Sequence, residues 1–87
     1  MAEITVHPIG GGRFSVRVED GGSATEHHVT VSAEDLERLS GDRTPDAFVR
    51  DCFGFLLARE PKESILRSFD VSAIGRYFPE FEREIVR

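Results

Sequence analysis

Three stretches, residues 3 to 9, 13 to 19 and 24 to 31, alternate apolar and polar side chains and are rich in β-branched residues. The clusters Gly10-Gly11-Gly12 and Asp20-Gly21-Gly22-Ser23 separate them. Alternation with period two, interrupted by glycine-rich turns, reads as a three-stranded antiparallel meander. If the glycine loops close symmetrically, Ile4, Val6, Phe14, Val16, Val18, Val29 and Val31 share one face that must be covered. The opposite face then carries Thr5, His7, Ser15, Arg17, Glu26, His28 and Thr30. Arg17 and Glu26 become direct cross-strand neighbours of opposite charge.

The cover has to come from the rest of the chain, which reads as helical. Ser32 is a good N-cap, Asp35 stands three residues on, and Gly41 supplies a stop, so a short helix is expected over 33 to 40. Thr44-Pro45 opens a main helix over 45 to 60, because a capping residue directly precedes a proline suited to the first helical position. Phe48, Val49, Cys52, Phe53, Leu56 and Leu57 then recur at helical spacing. Phe55 widens that arc beyond what one sheet face needs. Pro61 interrupts the helix, and a separate helical turn is expected over 61 to 67. Asp70 caps a short helix over 71 to 78, Pro79 stops it, and a last helix follows over 80 to 86.

The expected fold class is α+β: a three-stranded antiparallel β-meander followed by one main helix and several short C-terminal helices. It forms a single domain over 1 to 87, with the meander in 1 to 32 and the helical part in 33 to 87. With 87 residues, a chain buries roughly 60% of its unfolded surface, enough for one core. Apolar residues make up 39% and charged residues 31%, and seven Phe supply rigid core material, so the chain reads as folded rather than disordered. An alternative arrangement pairs the main helix with its copy in a homodimer. A three-stranded sheet with two open edges and a broad apolar helix arc both invite such association.

No apolar run approaches the roughly 18 residues of a membrane span, and the start lacks a basic-then-apolar leader, so neither membrane insertion nor secretion is expected. Cys52 is the only cysteine, which excludes an internal disulfide or cysteine-cluster zinc site and points to a reducing compartment, the cytoplasm. Residues 1 to 43 carry four Arg against eight acids and residues 44 to 87 seven basic groups against eight, so the net charges are −4 and −1. The acidic N-terminal half disfavours nucleic acid as a partner.

Candidate chemistry is sparse. Gly10-Gly11-Gly12 resembles part of a phosphate-cradling loop, yet it leads into a strand and not a helix N-terminus, which makes it a hairpin turn. His7, Ser15, Arg17 and His28 form a candidate metal or small-anion site on the polar face. His7 and His28 flank Ser15 with Cα atoms roughly 10 Å apart, twice the strand spacing. His27 points to the apolar face beside Val16, where burial demands a hydrogen-bond partner. Cys52 lies in the apolar stripe next to Asp51 and reads as a packing residue, since a neighbouring carboxylate raises a thiol pKa. Ser64 lacks the flanking glycines of a nucleophile elbow. Glu60, Glu63, Asp70, Glu80, Glu82 and Glu84 read as solvated helical surface.

The most distinctive run is Tyr77-Phe78-Pro79-Glu80-Phe81. With Arg76 it is either a clamp that closes the core or an aromatic contact surface, since Tyr, Phe and Arg are enriched at interfaces. Without a catalytic constellation, the residues point to a non-catalytic interaction or regulatory module that binds a protein partner or itself. No cofactor is implied. Metal or small-anion binding on the polar sheet face is the alternative.

Overall fold

The computed structural model describes residues 2 to 86. Strands β1 (Glu3–Gly10), β2 (Arg13–Asp20) and β3 (Ser23–Thr30) form the meander. Its register pairs Thr5 with Arg17 and Arg17 with Glu26, as the symmetric closure of the glycine loops requires. The Gly21-Gly22 turn has φ of +65° and +82°, the left-handed pair that a two-residue hairpin loop needs to match strand twist. Gly12 faces a different constraint. Its carbonyl accepts from the Val31 amide at 2.7 Å, and a Cβ built there would lie 2.7 Å from the Val31 carbonyl oxygen.

The sheet has four strands where the sequence suggested three. After β3 come helices α1 (Ala33–Leu39) and α2 (Pro45–Leu57) and a 3-10 turn (Lys62–Ser64). The chain then extends into β4 (Ser68–Asp70), parallel to β3. A parallel pair needs a long crossover, and the two helices supply it while covering the apolar face. The Arg67 carbonyl accepts from the His28 amide at 2.7 Å, and the Thr30 carbonyl from the Val71 amide at 2.9 Å. Residues 61 to 67, expected as a helical turn, are therefore a shorter 3-10 turn followed by extended chain. Ser72–Tyr77 (α3) and Phe81–Ile85 (α4) complete the fold.

Of the three predicted caps, Asp70 instead ends β4, where its carboxylate accepts from the Ser72 amide at 2.9 Å while Val71 holds the N-cap position of the helix that follows; the other two are made. The Ser32 hydroxyl accepts from the Asp35 amide at 3.0 Å and the Thr44 hydroxyl from the Ala47 amide at 3.2 Å. The α2 helix ends at Leu57, the last residue of its apolar stripe and three residues short of the expected 60. Its Phe48, Val49, Cys52, Phe53 and Leu56 join Val6, Phe14, Val16, Val18, Val29 and Val31 in one core. Each such side chain taken from water contributes about 1.5–3 kcal/mol.

Phe55, the residue that broadened the arc, is covered within the chain. Its ring meets Phe81 at 5.1 Å and Phe78 at 6.0 Å, edge-on in both cases. The Arg59 guanidinium lies 3.5 Å from the centre of the Phe55 ring and pairs with Glu80, just before α4, and with Glu84 on it, each at 3.0 Å. Arg38 grips Glu82 through two bonds of 2.8 and 3.1 Å. Arg43 donates to the carbonyls of Leu39, Ser40 and Ile85 and pairs with Asp51. A five-residue helix does not stand alone in water; three arginines and Phe81 hold α4 in place.

With four strands the sheet still has two edges. β4 covers part of β3. The other edge, β1, carries Pro8, which has no amide to donate, a register shift between Pro8 and Gly10, and Arg50, whose Nε lies 3.4 Å from the Ile4 carbonyl oxygen. These devices blunt strand addition. The apolar arc that suggested a homodimer is thus covered within the chain at Phe55, while the sheet keeps its two edges. Among the described residues, no helix is long and apolar enough to cross a membrane.

Candidate functional site

Among the described residues, four large apolar side chains remain exposed: Ile9, Leu66, Tyr77 and Val86. Two of them, Leu66 at 50% and Tyr77 at 68% exposure, line the same groove. The groove encloses about 210 Å³ between the C-terminal end of α2, the 3-10 turn, β4 and α3. Leu56, Ile65, Phe69, Ile74 and Phe78 supply its apolar walls, and Glu60 is the sole charged residue in its lining.

The rim is held from beneath. The His27 ring is buried against Phe53, with centroids 5.4 Å apart, and sits 2.8 Å from both the Leu66 carbonyl and the Thr25 hydroxyl. A carbonyl only accepts, so Nδ1 carries the proton and donates to Leu66. Nε2 then accepts from the Thr25 hydroxyl. Burial, the largest cause, lowers the His27 pKa, with Arg67 acting in the same direction. His27 is thus a satisfied structural histidine, as its inward direction suggested, and it fixes the backbone of a groove residue.

The aromatic run divides. Tyr77 is exposed and Phe78 half-buried, both lining the groove; Arg76 is exposed outside the lining; Phe81 is 1% exposed in the core against Phe55. Pro79 separates α3 from α4 and resets the helical phase between Tyr77 and Phe81.

Glu60 had read as solvated surface, and here the structure differs. It stands one turn beyond Leu56 where the chain leaves α2, and burial raises its pKa. Its spacing of four from Leu56 is the one sequence signal that would have placed it beside the apolar stripe. Neighbouring acids are engaged: Glu63 with Lys62, Glu80 and Glu84 with Arg59, Glu82 with Arg38. Among the described residues, Glu60 has no such partner.

On the other side of the sheet, the register sets His7, Ser15, His28 and Ser68 in one row across four strands. His7 and His28 are exposed and Ser15 is half-buried. Arg17, in the next row, lies 3.4 Å from Glu26. Among the described residues, no three His, Cys, Asp or Glu side chains converge as a metal would require. Cys52 is buried, with its thiol pushed up to about 12 by that burial, so it supplies no thiolate at neutral pH.

No protein-family model, curated protein or solved structure matches this chain. The site is therefore read from its own geometry.

Proposed function

We propose that this protein is a small non-catalytic interaction module of the reducing cytoplasm, and that the groove beneath Leu66 and Tyr77 is its contact site for a protein partner. One observation carries this reading: among the described residues, two of the four large exposed apolar side chains meet over a concave apolar lining. Exposed apolar surface of this kind marks contact sites. At about 210 Å³, the groove falls below the roughly 300–1,000 Å³ of small-molecule sites. It is suited to one large side chain from a partner, with Tyr77 as an aromatic wall. Tyr77 and Phe78 act as contact residues, Arg76 borders them, and Phe81 supports the site from the core.

The test is recovery of bound protein from the source cells by wild type and by Leu66→Asp, compared by quantitative mass spectrometry. Leu66 is half exposed, so the charge is tolerated by the fold and placed in the groove. A partner retained by wild type and lost by the variant supports the reading. A partner held equally by both, or none with either, refutes it.

A second reading, in which the row His7, Ser15 and His28, with Arg17 beside it, binds a divalent metal or small anion, rests on the register that aligns these residues. Two histidines flanking one small side chain can approach a common ion when both rings lean inward. Saturable zinc binding that disappears in His7→Ala and in His28→Ala would support it. An equal and unsaturable response in all three proteins would remove it.

A further inference from the structure

The groove carries more information than its apolar lining. The C-terminal half is arginine-rich, and Arg38 and Arg59 each engage acids on or beside α4. Arg59 adjoins Glu60 in the chain, yet it is turned over Phe55 toward Glu80 and Glu84. Glu60 is left in the apolar lining without a cation among the described residues. Arg67 and Arg76 are exposed on the flanking segments, and neither lines the groove. A carboxylate partly withdrawn from water and unpaired is costly, and an incoming positive charge relieves that cost more than it would at an open surface.

Resting on the reading of the groove as a protein-contact site, we infer that Glu60 selects the partner: the groove accepts an apolar side chain whose neighbour is Lys or Arg, and it rejects one whose neighbour is acidic. Apolar contact with Leu66, Tyr77 and Phe78 provides attraction common to all such segments. The charge at Glu60 provides the difference between them, which is how specificity is separated from affinity.

Three capped dipeptides that share the aromatic anchor and differ in charge test this: N-acetyl-Phe-Lys-amide, N-acetyl-Phe-Gln-amide and N-acetyl-Phe-Glu-amide. Each is titrated to millimolar concentration into 15N-labelled protein, following the amides of residues 56 to 78. Wild type is expected to bind the Lys peptide several-fold to about tenfold more tightly than the Glu peptide at low salt, with Gln between them. The ratio shrinks as salt is added. In Glu60→Gln the Lys-to-Glu ratio falls to about one. Equal binding of all three by wild type, or a Lys preference that survives in Glu60→Gln, overturns the charge selection and leaves the groove reading standing. If none of the peptides shifts the lining residues, the groove reading itself fails and this inference with it.

Discussion

Replacing His27 by Phe separates what the ring does by packing from what its nitrogens do. Phenylalanine keeps a planar ring beside Phe53, so little cavity is created. The Leu66 carbonyl and the Thr25 hydroxyl each lose a partner now at 2.8 Å. A buried polar group left unsatisfied costs about 1–3 kcal/mol. The Thr25 side is buried and the Leu66 side partly so, which sets the expected loss at about 2–4 kcal/mol. Small domains have only about 5–15 kcal/mol in total. With a urea slope of about 1 kcal/mol/M, the unfolding midpoint should fall by roughly 2 M or more.

The loss should depend on pH. The His27 pKa is lowered in the fold from its ordinary 6.5. Its contribution is therefore fully present above 6.5 and is lost as pH falls through the lower folded value, because the unfolded chain takes up the proton first. Urea unfolding by circular dichroism at neutral pH, repeated at descending pH, should show a large gap between wild type and His27→Phe that narrows with acid. A variant as stable as wild type at neutral pH, or a gap that does not change with pH, would refute the assignment of the two hydrogen bonds.

Gly12→Ala should lose about 1–3 kcal/mol by the same measurement, since it forces a Cβ against the Val31 carbonyl at a φ of +74°; a neutral change would mean that the loop relaxes freely. Phe81→Ala should lose about 3–5 kcal/mol, because a fully buried ring packed on Phe55 is deleted, and a loss well below that range would remove Phe81 from the core. Glu60→Gln should be more stable than wild type at neutral pH. The Glu60 pKa is raised from 4.5, so its favourable contribution is present below that value and is lost as pH rises through the folded one. The advantage of the variant should close on acidification, and a variant less stable at neutral pH would show that the carboxylate is compensated.

The meander was legible because the alternation and the glycine loops together fix the faces: Arg17 beside Glu26, and His27 turned inward, follow from period two alone. The caps at Ser32 and Thr44 were equally local. β4 was not legible. Ser68-Phe69-Asp70 is too short to alternate, and its place is set by the open edge of β3 and by the long crossover that delivers it there. The groove was hidden for the same reason, since Leu56, Leu66, Phe69 and Tyr77 come from four segments that meet only once β4 is docked. Within the aromatic run, the split between Tyr77 outside and Phe81 inside turns on the phase break at Pro79, which composition does not report. Glu60 resembled its neighbours in sequence and differs from them only in what the arginines reach.

The most direct test of the groove as a contact site is Tyr77→Ala, with thermal unfolding and partner recovery measured side by side. Tyr77 is 68% exposed, so truncation should change stability by no more than about 0.5 kcal/mol, while the protein recovered with wild type from its source cells should be lost. Undiminished recovery with Tyr77→Ala would contradict the account. So would unfolding of the variant, which would make Tyr77 part of the core and leave the groove without its aromatic wall.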